Sequence, residues 1–324
     1  MARILTITLN PALDLNAELD ALEPGQVNRT TATRLEPAGK GINVARVLAG
    51  LGHQVTVSGL LGEANAAPFE RLFADKGLAD RFVRVPGRNR VNIKLAEQDG
   101  RVTDINSAGF EVSEHTLDQL MDQLSPLLAE HDAIVIGGSL PASLPAAAVA
   151  DLVAMVRAVD KPVWLDTSGD ALTCGLQAGP FGIKPNIEEL SAWAGRPLVS
   201  RQQVAGVATQ LQAEGLAHVV VSLGADGVLW FGPDGSYQSE PPPVSARSTV
   251  CAGDTLLAGL LHGLLQTEHR EPTVAQLRFA TALSAECVRH AGVGNPAASD
   301  FHSLVEQTRV TPWPGDNNNG EVPL

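Results

Sequence analysis

The chain has 324 residues, a net charge of −13 and a pI near 5.0, with 44% hydrophobic and 18% charged residues. That length fits one large α/β domain or two smaller ones, and the acidic balance argues against nucleic acid as the main partner, because phosphate backbones need a basic surface. No apolar run approaches the roughly 20 residues of a membrane span.

Only 4% of the residues are aromatic, so Leu, Val, Ile and Ala must fill the interior. The opening "MARILTITLNPALD" begins apolar, but Asn10 and Pro11 cut the run too early for a secretory signal. Residues 4–9 therefore predict a first strand of a soluble, cytoplasmic protein. Cys174, Cys251 and Cys287 are odd in number and widely spaced, with no CxxC pair or Cys/His cluster. They predict reduced thiols, without disulfides or a bound metal.

Residues 11–36 or so have short alternating runs and no helical period, which predicts strands outside the main sheet. "EPAGKGINVARVLAGLG" then sets Gly39, Lys40 and Gly41 before a helix at 42–51, with Asn43 in its first turn. The glycines fit a ligand cradle and equally a common glycine turn. A Walker A loop would follow Gly-Lys with Ser or Thr. A dinucleotide fingerprint would have glycine where Val44 stands, which argues against a nicotinamide-dependent oxidoreductase.

A strand at 56–61 leads to a second irregular segment, about 84–108. Within it "RNRVNIKL" places Arg88, Arg90, Asn92 and Lys94 on one face of a strand and Asn89, Val91, Ile93 and Leu95 on the other. This is the pattern of a lid, wet over a substrate and packed behind. It is equally that of a solvated edge strand guarded by its cations.

A helix at 115–129, a strand at 133–136 ending in "GGS", a helix at 146–159 and strands at 163–166 and 218–222 follow. The helix at 202–214 has Ser200 and Gln203 at capping-box spacing, and Gly215 ends it. Alternating strands and helices predict a mostly parallel sheet covered on both faces.

"STVCAGDTLLAGLLHGLL" sets Cys251, Ala252 and Gly253 just before Asp254 at the start of an apolar helix. Free N–H groups and the dipole at such a terminus attract an anion. Asp254 could take a proton from a hydroxyl there. From this stretch alone, an aspartate cap is the better explanation. The tail from Thr311 has three prolines and an Asn run and predicts a flexible end. The organisation expected is one domain over 1–310 with a discontinuous β-lid, then a tail at 311–324.

Gly39-Lys40-Gly41-Ile42-Asn43 together with Ala252-Gly253-Asp254 resembles the two signatures of the PfkB (ribokinase-like) carbohydrate kinases. "TLNPALD", "GGSLP", "KPNIEE" and "SLGADG" are similar to further family segments, in the family's order, over nearly all the chain before the tail. The resemblance implies a ribokinase-like three-layer α/β/α sandwich with a mostly parallel central sheet and a small β-lid. It implies ATP and Mg²⁺ as cofactors, possible support from a monovalent cation, and a homodimer paired through the lids. Segments such as "VTDINSAGFEV" are most similar to the phosphofructokinase-like branch. They imply transfer of the ATP γ-phosphoryl group to the 6-hydroxyl of fructose 1-phosphate, giving fructose 1,6-bisphosphate. Tagatose 6-phosphate and fructose 6-phosphate stay open as substrates, as does a non-catalytic sugar-phosphate-binding relative.

Under the resemblance, Asp254 matches the catalytic base, and Ala252, Gly253 and the Asp254 amide match the anion hole. Asp14 matches an acid that grips sugar hydroxyls, helped by Gly39, Lys40 and Asn43. Arg90 matches a ligand of the phosphate already on the substrate, which favours the lid reading, and Ser139 matches a sugar-side contact. Asn186 and Glu189 match an Asn-x-x-Glu motif that helps hold magnesium and phosphate through water. Lys184 could reach phosphate, and Ser222, Gly224 and Gly227 fall in the nucleotide loop. Without the family, Glu189 is an ordinary first-turn acid, and Ser139 and the 222–227 loop are ordinary turns. Cys251 stands in the catalytic segment where relatives usually have glycine. The expectation is a negative φ there, with the side chain turned from the phosphate. A thiol at a helix N-terminus can also have a lowered pKa, although a small buried cysteine is the plainer reading.

Overall fold

The computed structural model describes residues 1–266 and 274–314. The chain begins β1 (Arg3–Thr8), β2 (Ala12–Leu19), β3 (Ala32–Ala38), α1 (Lys40–Gly50), β4 (Gln54–Gly62), α2 (Ala67–Lys76) and β5 (Ala79–Val85). It continues through β6 (Arg90–Glu97), β7 (Val102–Ile105), α3 (Glu114–Glu130), β8 (Ala133–Gly137), α4 (Ala147–Arg157), β9 (Val163–Asp166) and α5 (Gly169–Gln177). Next are β10 (Gly182–Ile183), α6 (Ile187–Trp193), α7 (Arg201–Ala213), β11 (His218–Ser222), β12 (Val228–Gly232) and β13 (Gly235–Glu240). Last are α8 (Ala252–Gln266), α9 (Val274–Cys287), α10 (Phe301–Gln307) and β14 (Arg309–Pro312).

Ten strands form one sheet in the order β14-β13-β12-β11-β10-β9-β8-β1-β4-β5. From β5 to β11 every pairing is parallel, and β12 to β14 continue the sheet antiparallel. The inner strands are apolar at nearly every position because helices cover both faces. Val163 and Leu165 point to the side of α3–α7, while Trp164 between them points to α1, α2 and α8–α10. Two cores result, one on each face, and each fully buried Leu, Ile or Phe contributes about 1.5–3 kcal/mol. The expected three-layer sandwich is present.

Two local expectations are modified. Ser200 Oγ accepts from the Gln203 N–H at 3.4 Å, but Gln203 Oε1 accepts from Val199 rather than Ser200, so only half of the capping box forms. The sheet also runs past the expected start of the tail. Gln238 pairs with Thr311, and the Trp313 N–H donates to Ser236 O at 2.8 Å. Residues 315–324 of the expected tail lie outside the described residues.

The segments expected to stand outside the main sheet form a second, four-stranded one in the order β3-β2-β6-β7. Among the described residues no helix is long and apolar enough to cross a membrane. The chain leaves β1 towards β4 on one side and returns to β8 on the other. At such a switch point the carboxyl ends of the strands border a crevice.

Candidate active site

The carboxyl ends of β8 to β11 border one cleft of about 1090 Å³, with the second sheet lining its other side. α1 seats its N-terminus over β1 and β8. Gly39 has a φ of 144°, a Cβ on Gly41 would overlap Thr8 Oγ1, and a Cβ on Gly137 would lie 3.1 Å from the Gly41 nitrogen. This close seating directs Asn43 across to α8, where its Nδ2 donates to Asp254 Oδ2 at 2.8 Å.

Asp254 lies in the first turn of α8 and is buried. Burial, and then the charge of Asp166, push its carboxyl up to about 6, against the pull of Lys40, Asn43 and Lys184. Such a group is ionised near neutrality and still basic enough to take a proton. Thr255 N–H makes the first helical bond, to Cys251 O, so the N–H groups of Gly253 and Asp254 have no partner among the described residues. The expected third donor differs: Ala252 N–H turns back to Thr249 O at 3.3 Å.

Cys251 corrects the expectation placed on it. Its φ is 67°, in the left-handed region, and the residue borders the cleft. This positive φ is adopted with a side chain attached, at a steric cost of about 1–2 kcal/mol. The thiol is not activated either, since burial first and then Asp254 raise it well above its ordinary value.

Between α1 and the strand ends lies a set of opposite charges. Lys40 Nζ is 2.7 Å from Asp166 Oδ1 and 3.1 Å from Glu189 Oε1, and Lys184 Nζ is 3.3 Å from Asp166 Oδ2. Burial alone would lower Lys40 and raise Asp166, but the opposite charges outweigh it and hold both ionised. Lys40, expected beside the sugar hydroxyls, therefore has its ammonium turned to the acids of β9 and α6. Asn186 and Glu189 form a full capping box on α6. Asn186 Oδ1 accepts from Glu189 N–H at 2.7 Å, and Glu189 Oε2 accepts from Asn186 N–H at 2.9 Å.

On the lid side, Asp14 pairs in register with Asn92, whose Nδ2 donates to Asp14 Oδ1 at 3.0 Å. Lys94 lies 3.8 Å from Asp14 and 3.3 Å from Asp104. Arg90 donates through Nε to Asn10 O at 3.2 Å, and no carboxylate lies within ion-pair distance of it among the described residues. Arg88 is exposed and outside the cleft. Ser139 lines the cleft beyond β8, and Ser222, Gly224 and Gly227 border its far end. Gly227 has a φ of 98°, and a Cβ there would collide with Ser239 O, so only glycine fits.

Residues 7–300 match the sequence profile of the pfkB family carbohydrate kinases. The chain belongs to this family. It is 44% identical over 311 residues to the 1-phosphofructokinase of Escherichia coli, covering 96% of this chain and 99% of that one. It is 42% identical over 309 residues to the 1-phosphofructokinase of Vibrio cholerae, covering 95% and 96%. The crystal structure of phosphofructokinase-2 from Escherichia coli in complex with potassium superposes with a TM-score of 0.84 at 29% identity, covering 94% of this chain and 99% of that one.

Every residue that the resemblance to the pfkB family marked, from Asp14 to Asp254, lines this cleft. Asn92 also lines the cleft, and Asp166 lies buried behind its Lys40 and Lys184; neither was marked. Asn92 was visible on the cationic face of its strand. For Asp166 the only signal was an acid at the end of an apolar strand, which usually means a turn.

Proposed function

We propose that this pfkB-family chain transfers the γ-phosphoryl group of ATP to the 6-hydroxyl of fructose 1-phosphate, forming fructose 1,6-bisphosphate and ADP. The observation that carries the reading is Asp254, buried at the cleft floor beside two helix N–H groups that have no partner among the described residues. Asn43 holds Oδ2, which leaves Oδ1 to accept the proton of the 6-hydroxyl. The hydroxyl oxygen bonds to the γ-phosphorus, the bond to the β-γ bridging oxygen breaks, and its electron pair leaves with ADP. The N–H groups of Gly253 and Asp254 face the charge on the transferred group.

Asp14, with Asn92 beside it, supports a role in holding sugar hydroxyls, and Gly39, Asn43 and Ser139 complete that wall. Arg90, with no carboxylate partner among the described residues, is suited to the 1-phosphate. The loop of Ser222, Gly224 and Gly227 and the proline run 241–243 flank the opposite end and suit the nucleotide. Among the described residues no three His, Cys, Asp or Glu side chains form a metal cage. That donor set fits a hydrated Mg²⁺ borne mainly by phosphates, with Glu189 and Asn186 holding its waters. When bound, Mg²⁺ would neutralise phosphate charge.

The reading includes a monovalent cation, on the strength of the potassium-bound relative, and a cytoplasmic location, which three free cysteines support. It also includes a homodimer through the lids. Leu35, Leu15, Ile93 and Ile105 stand in one cross-strand row, with Leu35 and Ile105 half exposed. Such a row needs an apolar partner. A coupled ADP-release assay on fructose 1-phosphate, fructose 6-phosphate and tagatose 6-phosphate tests the substrate. The expected result is a kcat/KM highest by far on the first, and comparable values on all three would contradict the assignment.

A further inference from the structure

Asp166 has no part in the steps above, although it pairs with two lysines that line the cleft. It is the last residue of β9, its side chain is 1% exposed, and it lies beneath two ammonium groups. Those groups come from distant parts of the chain. Lys40 begins α1 and Lys184 follows β10, and each takes a different oxygen of the carboxylate, Oδ1 and Oδ2 respectively.

The second contact of each lysine shows what the pair spans. Lys40 reaches Glu189 on α6, the helix assigned to the hydrated metal. Lys184 lies against the first turn of α8, where a Cβ on Gly253 would sit 3.0 Å from its Nζ. One buried carboxylate therefore sets two cations between the metal-side helix and the helix bearing the base and its free N–H groups. Two ammonium groups around a shared, poorly solvated site repel each other strongly unless a negative charge lies between them. Lys184 has no other carboxylate within ion-pair distance among the described residues. Deprived of Asp166, its flexible four-carbon stem would swing the charge towards solvent.

We infer that Asp166 is a positioning residue for phosphoryl transfer, one that touches neither substrate and acts by fixing Lys40 and Lys184 on the path of the transferred group. The inference rests on the kinase reading above. It differs from a merely structural role in one respect: the effect of losing Asp166 must vanish when the lysines are already gone.

A double-mutant cycle measures this difference. Asp166→Asn keeps the shape and removes the charge. It should lower kcat/KM for ATP about 100-fold while the KM for fructose 1-phosphate moves less than about threefold. Introduced into a Lys40→Met/Lys184→Met background, the same change should lower activity by less than about threefold. A loss larger than that in the lysine-free background, or an Asp166→Asn single variant within about threefold of the unaltered enzyme, would overturn the inference. If Asp166→Asn alone fails to fold, comparison of the triple variant with the double lysine variant decides by the same threshold. Failure of the kinase reading is visible separately, as an unaltered protein that releases no ADP with any of the three sugar phosphates.

Discussion

Replacing Asn43 with leucine removes the one side-chain hydrogen-bond donor to Asp254 among the described residues, and so tests how the cleft sets its base. In the intact site the carboxyl is pushed up to about 6, chiefly by burial and next by Asp166. At that value it is about nine-tenths ionised near pH 7 and about one-tenth near pH 5. The acid limb of kcat/KM should therefore bend near the same value. A hydrogen bond to a charged group is worth about 1.5–3 kcal/mol, and about 1.4 kcal/mol corresponds to one pKa unit. Asn43→Leu should accordingly move the limb up by about one unit or more, halving activity near pH 7 and sparing it far more near pH 9. The assay is ADP release from about pH 5 to 9, with both proteins in the same buffers so that the substrate's own ionisation near pH 6 cancels. A limb that stays in place, or moves down, would refute the assignment of that limb to Asp254.

Cys251→Gly should raise the thermal midpoint by about 1–3 °C, because release of the left-handed strain exceeds the extra chain entropy of glycine. A lower midpoint would show that thiol packing outweighs the strain. The His53–His262 contact should make the fold acid-sensitive. Ala2 N–H donates to His53 Nδ1 at 3.2 Å, so the ring proton sits on Nε2, 2.9 Å from His262 Nδ1. Burial and then His262 hold His53 down to about 4. A depressed histidine contributes stability that is present above its unfolded value, about 6.5, and lost as pH falls towards about 4, by up to roughly 3 kcal/mol. Urea midpoints of the unaltered protein should fall across that window, and those of His53→Phe should fall less. Parallel slopes would contradict this.

The layers of the fold were legible because apolar strands covered on both faces differ plainly from helices with a 3.6-residue period. β10 was not, since two residues carry no period and its place depends on its parallel neighbours. The pairing of the first tail residues was not legible because Pro312 and the prolines beyond it disfavour a strand locally. β13 nevertheless offers an edge to residues 309–312. Asp254, Asn43 and the glycine turn were legible as types at the right spacing. Their meeting was not, since Asn43 and Asp254 lie 211 positions apart. The ion pair of Lys40 was not legible for the same reason, because its partner Asp166 lies on a distant strand. The φ of Cys251 depends on how the 247–250 strap enters α8, and no local pattern in "STVCAGD" reports it.

The central claim is tested most directly by Asp254→Asn, which keeps the shape and the Asn43 contact site but removes the proton acceptor. Turnover on fructose 1-phosphate should fall by about 100- to 10,000-fold, while the Kd values for the sugar phosphate and ATP stay within about threefold. Turnover within about tenfold of the unaltered enzyme, with both ligands still bound, would remove Asp254 from the chemistry and the account with it.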